Sequence, residues 1–216
     1  MTARRRPEGH EPARAVTPAL GTVIDRSCVV VGSLNPGIVH PRWLLEQGIV
    51  DVPVDQWEVE LSPMSRMVTF SNALFRWQCT PTRLTVSAVG DDANPGEAVG
   101  KLLGVLKHTP VQAVGNNFAY LIAPDAGAAA VERTHSASLV QLAEAGLECG
   151  LYQHTYVVAK NAAQLRITVD IADRAVHSVG LNFHRLVDGP TSARVAARAW
   201  SRDGHAAQQV LKGLLK

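Results

Sequence analysis

Two asparagines stand at the same place in two copies of one short pattern. Val114-Gly-Asn-Asn-Phe-Ala-Tyr-Leu121 and Val179-Gly-Leu-Asn-Phe-His-Arg-Leu186 share V-G-x-N-F-x-x-L, with Asn117 and Asn182 in register. An amide carries two N–H donors and an acceptor oxygen, so a pair of them can recognise a polar ligand. His184 follows Asn182 by two residues, and Asp170 ends a nearby alternating run. Asn117, Asn182 and His184 are therefore the candidate ligand-binding residues of a small-molecule-binding protein or hydrolase, with Asp170 as a further acid.

Scaffold is the rival explanation. Strand alternation puts Ala113, Gly115, Asn117, Ala119 and Leu121 on one face, with Val114, Asn116, Phe118, Tyr120 and Ile122 on the other. The second copy divides likewise: Ser178, Gly180, Asn182, His184 and Leu186 against Val179, Leu181 and Phe183. Each strand thus has a bulky apolar face and a face of small residues with a single Asn. Small residues admit a neighbouring helix or backbone closely, and the amide can satisfy a loop or helix end there. Five identities in eight positions arise about once by chance in a chain this long, so the recurrence alone decides nothing.

Other reactive patterns are missing. The segment "NPGEAVGKL" has a Gly-Lys pair, but its spacing is one residue short of a phosphate loop and Leu102 replaces the metal-binding hydroxyl. None of the eight histidines falls at H-x-x-x-H or H-E-x-x-H spacing, so no metal site is expected. Cys28, Cys79 and Cys149 form no C-x-x-C pair and lie in apolar surroundings, where a thiol acts as a small hydrophobe. No catalytic residue and no cofactor is expected.

The elements that must position these residues follow from periodicity. "SCVVVGSL" (27–34) reads as a buried strand, stopped by Asn35-Pro36-Gly37. A two-turn helix follows, opened by Pro41 and stopped at Gly48. Four alternating runs, "QWEVELS", "RMVTFSN", "LFRWQCT" and "RLTVSAV", with short connections, predict an antiparallel meander. In the first, Trp57, Val59 and Leu61 share a face. Asn94 caps a helix with Pro95 first and Glu97 in its opening turn; its stripe is Val99, Leu102, Leu103 and Leu106. Residues 111–122 form a strand, "THSASLVQLAEAG" a helix, "LYQHTYVVA" and "QLRITVDI" a strand pair, and 176–187 another strand. Helical "SARVAARAW" and "HAAQQVLKGLL" finish the chain. Helices follow groups of strands, which predicts an α+β fold: a single domain over residues 25–216 with a largely antiparallel sheet and helices on one face, or alternatively two similar halves, 25–125 and 126–216.

Composition bounds the partners. With 46% hydrophobic and 19% charged residues, the chain has ordinary globular proportions and no membrane-length apolar run. Residues 1–24 read as a disordered basic tail. Four arginines (Arg4, Arg5, Arg6, Arg14) against Glu8 and Glu11 account for the net charge of +2, leaving a neutral body of 17 basic and 17 acidic residues. Such an arm can hold nucleic-acid phosphate through Arg4, Arg5 and Arg6, but the body supplies no continuing patch.

Three stretches, "LFRWQCTPTRLTVSA", "HTPVQAVGNNFAYLI" and "LRITVDIADRA", together resemble a sporadically distributed bacterial family of uncharacterised α+β proteins. That resemblance implies an α+β fold and a patchy, mobile-element or defence-associated occurrence, and transfers no site. The leading functional expectation is a non-catalytic interaction protein. It would be a subunit of a bacterial cytoplasmic complex or a homo-oligomer, with Trp43, Trp57, Phe75 and Trp77 on sheet faces that need a protein partner. Pocket binding near Asn117, Asn182 and His184 and nucleic-acid association through the arm are the alternatives. No membrane partner is expected.

Overall fold

β-branched residues dominate the first strand, and in the computed structural model it is longer than its buried segment. The structure describes residues 21–64, 66–123, 126–128, 151–158, 163–170 and 175–215. Strand β1 (Thr22–Gly32) starts five residues before the expected Ser27, so Thr22, Val23 and Ile24 belong to the sheet and not to a tail reaching residue 24. The meander follows as β2 (Glu58–Ser62), β3 (Met67–Ser71), β4 (Phe75–Cys79) and β5 (Arg83–Ala88). Helices α1 (Pro41–Glu46) and α2 (Pro95–Val105) lie before and after it. Then come β6 (Val111–Leu121), β7 (Leu151–Val158), β8 (Ala163–Asp170) and β9 (Ala175–Leu186), and finally α3 (Pro190–Arg198) and α4 (Trp200–Leu215). The expected helix "THSASLVQLAEAG", Cys149, His135 and the Arg4–Arg6 arm lie outside the described residues.

All nine described strands join one antiparallel sheet, in the order β2-β3-β4-β5-β1-β6-β9-β8-β7. The α+β expectation holds, with helices gathered on one face. Helix α2 packs over β1 and β5, α3 over β6, and α4 over β6 and β9. The two expected halves are one continuous sheet, joined by the β6–β9 pair. Asn117 faces Asn182 across that pair, so antiparallel pairing places the two V-G-x-N-F copies in a two-fold relation. Beyond it the symmetry lapses: four strands intervene between β1 and β6, whereas β7, β8 and β9 run consecutively.

The helices chose the bulky face. Cys28, Val30, Leu84, Val86, Val114, Phe118, Val179, Leu181 and Phe183 are all buried, against Val99, Leu102 and Leu103 of α2 and Trp200, Ala207 and Leu211 of α4. Burying one such large side chain contributes about 1.5–3 kcal/mol, which a glycine-lined face cannot match. The expectation that the small-residue face receives a helix is therefore corrected.

Two local details set the helix layer. Asn94 Oδ1 accepts from the Glu97 amide at 3.0 Å, with Pro95 at the first position, as its cap signature predicts. Gly96, Gly100 and Gly104 recur every fourth residue and form the contact ridge of α2. A Cβ on Gly96 would stand 2.3 Å from Ala197 O and Trp200 Cβ, and one on Gly100 would stand 3.0 Å from Arg198 Cγ. The Gly-Lys pair that evokes a phosphate loop is part of this packing ridge.

The aromatic residues expected to seek a partner are mostly inside. Trp57 and Trp77 are buried, and Phe70 stacks on Trp77 at 5.8 Å between ring centroids while meeting Trp57 edge-on at 5.4 Å. Phe75 and Trp43 pack against the same core. At the sheet edge the alternation fails: Val59 and Leu61 remain 55% and 66% exposed, because no described element covers β2.

Candidate ligand-binding trough

The face away from the helices is polar, and strand register orders it into rows. One row crosses five adjacent strands as Ser87, Ser27, Asn117, Asn182 and Gln164. The next crosses as Asp25, Ala119, Gly180, Arg166 and Thr155. Small residues at the centre and longer ones at the flanks hollow this face into a trough of about 530 Å³. Asp25, Ser27, Asn117, Ala119, Gly180 and Asn182 form its middle, while Arg83, Thr85, Gln164 and Arg166 stand around it.

A hydrogen-bonded chain runs along one side. Asn117 Nδ2 donates to Ser27 Oγ at 3.2 Å, and Ser27 Oγ donates to Asp25 Oδ2 at 3.1 Å. Burial raises the Asp25 carboxyl above the ordinary aspartate value, with the Ser27 bond opposing that shift. Asn182 differs from its twin. Its Oδ1 is sequestered from solvent and has no hydrogen-bond partner, directly over Gly115, where a Cβ would stand 3.0 Å from it. Gly115 makes room for that amide.

A second polar cluster lies on the helix side. Asp203, 3% exposed in the first turn of α4, receives both Arg185 nitrogens at 2.6 and 2.7 Å and Asn116 Nδ2 at 2.8 Å. Asn116 Nδ2 also lies 3.1 Å from Ala196 O. These bonds hold α3 and α4 to β6 and β9. Cys28 is buried beside this cluster, and desolvation pushes its thiol far up; burial likewise pushes the Cys79 thiol up to about 12. Neither thiol is poised for nucleophilic chemistry.

The structure therefore brings Asn117 and Asn182 together, opposite one another, on the open face. They do not fasten a helix; Asn116 does. His184 shares their face but is exposed, opposite Gly115, and does not line the trough. Asp170 closes β8 opposite Leu151 and Ala175, away from the asparagine row. Asp25, Ser27, Gln164 and Arg166 were not singled out from sequence. Their signal was present as polar residues on the alternate face of strands whose other face is apolar, but only register shows that they meet. Among the described residues no group of histidine, cysteine or acidic side chains could hold a metal, and no helix is long and apolar enough to cross a membrane. No family model matches the chain, and no curated protein matches it.

Proposed function

We propose that this protein binds a small polar molecule in the trough on the open face of its sheet and works as a non-catalytic binding protein. The observation that carries the reading is the trough itself, where strand register gathers Asp25, Ser27, Asn117, Asn182, Gln164 and Arg166 around a floor of Ala119 and Gly180. Ser27, Asn117, Asn182 and Gln164 supply the hydrogen-bonding groups for such a ligand. The lining offers hydroxyls, amides, one carboxyl and two guanidiniums, and Ser27 donates directly to Asp25 without an intervening imidazole, which suits recognition better than nucleophilic catalysis. Native mass spectrometry of the full chain against a panel of neutral, anionic and zwitterionic metabolites tests it. At least one member should bind, and Asn182→Leu should abolish binding while leaving the unfolding temperature unchanged. A panel without any binder, or an Asn182→Leu protein that binds equally well, would overturn it.

A second reading, an interaction or assembly subunit, rests on different residues from the tryptophans first considered. Val59, Leu61 and Met64 are exposed at the β2 edge, beside an apolar groove lined by Pro36, Pro63, Met67, Val68 and Pro81. Light scattering decides it: a stable oligomer that Leu61→Lys dissolves supports this reading, and a monodisperse monomer opposes it.

A further inference from the structure

Charge in the trough is polarised, and the polarity specifies its occupant. Asp25 on β1 and Arg166 on β8 stand in one row, with only Ala119 and Gly180 between them. Three strand spacings separate the two charged residues, ~14 Å between Cα atoms. Neither side chain meets the other: Asp25 is held by Ser27, and Arg166 makes no ion pair among the described residues. The adjacent row supplies Asn117 and Asn182 over the same gap, with Ser27 at the acidic end and Gln164 at the basic end. Arg83, the trough's other cation, stands opposite Val31, three rows from Asp25, and leaves this arrangement unbalanced by a second positive charge.

We infer that the trough recognises a small zwitterion, a molecule with an ammonium group at one end and a carboxylate at the other. The ammonium sits at Asp25 and the carboxylate at Arg166. The backbone between them lies flat on Ala119 and Gly180, where any larger side chain would fill the space. Both ends of the ligand are then recognised by charge-assisted hydrogen bonds, and a molecule with one charge capped leaves a charged side chain without its partner. This inference rests on the trough being a binding site and adds the chemical class of its ligand.

Calorimetric titration of the full chain tests it with glycine, β-alanine and γ-aminobutyrate, which grade the separation of the charges. Each is compared with its N-acetyl and carboxamide derivative. One zwitterion should bind at least tenfold more tightly than either derivative. Asp25→Asn should erase the preference over the N-acetyl form, and Arg166→Gln, at an exposed position, the preference over the carboxamide. Equal binding of capped and free forms overturns the inference. So does binding confined to neutral or purely anionic probes, in which case the trough remains a binding site for another class. Failure of every probe here and in the metabolite panel removes both.

Discussion

Three asparagines in two adjacent strands have three different fates, decided by which way each side chain faces. Asn116 lies among Val114, Phe118 and Tyr120 on the helix side, where its Nδ2 donates to Asp203 and Ala196 O while its Oδ1 is buried without a partner. Asn117 and Asn182 face the open side, where a ligand or solvent can serve. The network around Asn116 sets a stability prediction. Arg185→Met leaves the Asp203 carboxylate buried with the Asn116 amide and, 3.8 Å away, the exposed Arg202. Urea unfolding should show a loss of about 3 kcal/mol. Asp25 makes the opposite case. Its native pKa is raised, so its contribution favours the fold below the ordinary carboxylate value of about 3.9 and is lost as pH rises through the native value. Asp25→Asn should therefore unfold at a higher temperature than the parent at neutral pH, with the gain vanishing in acid; thermal melts from acid to neutral pH check this. The asparagine pair was legible in sequence, and so were its faces. The wrong member was credited with fastening a helix, although an Asn amid large apolar neighbours was the available signal for Asn116.

Elements were more legible than the contacts between them. Caps and turn residues are local, and Asn94, Pro95, Gly48 and Pro41 act as their types predict. Packing is not local. The recurrence of Gly96, Gly100 and Gly104 acquires its meaning only when α3 and the start of α4 are laid across it. Gly96→Ala should destabilise by about 1–3 kcal/mol, because its Cβ meets backbone and the Trp200 stem. Gly213→Ala, in α4 with nothing within 4 Å, should stabilise by about 0.5–1 kcal/mol. Parallel chemical denaturation of the two variants checks the sign of each. Strand β2 shows the converse limit: alternation correctly marked Val59 and Leu61 as sharing a face, but strand pattern cannot reveal that a strand ends at an uncovered edge.

At the scale of the molecule, one face of the sheet of nine described strands is given to apolar packing, and the function we propose assigns recognition to the other. Apolar burial under α2, α3 and α4 holds the strands in register, and register then gathers Asp25, Ser27, Asn117, Asn182, Gln164 and Arg166 from four strands. Those residues lie scattered between positions 25 and 182 of the sequence; no local motif could announce them. A protein of this design should keep its two faces independent. Asn182→Leu and Arg166→Gln should leave unfolding free energies within about 0.5 kcal/mol of the parent, whereas Arg185→Met, on the same strand as Asn182, should not.

The most direct test is the side-chain amide region of a ¹H–¹⁵N correlation spectrum during titration with the zwitterion panel. Resonances of Asn117 and Asn182 should move together and saturably, while those of Asn116, held against α4, stay fixed. Stationary Asn117 and Asn182 signals, or shifts confined to backbone amides of β2, would contradict a ligand site on the open face.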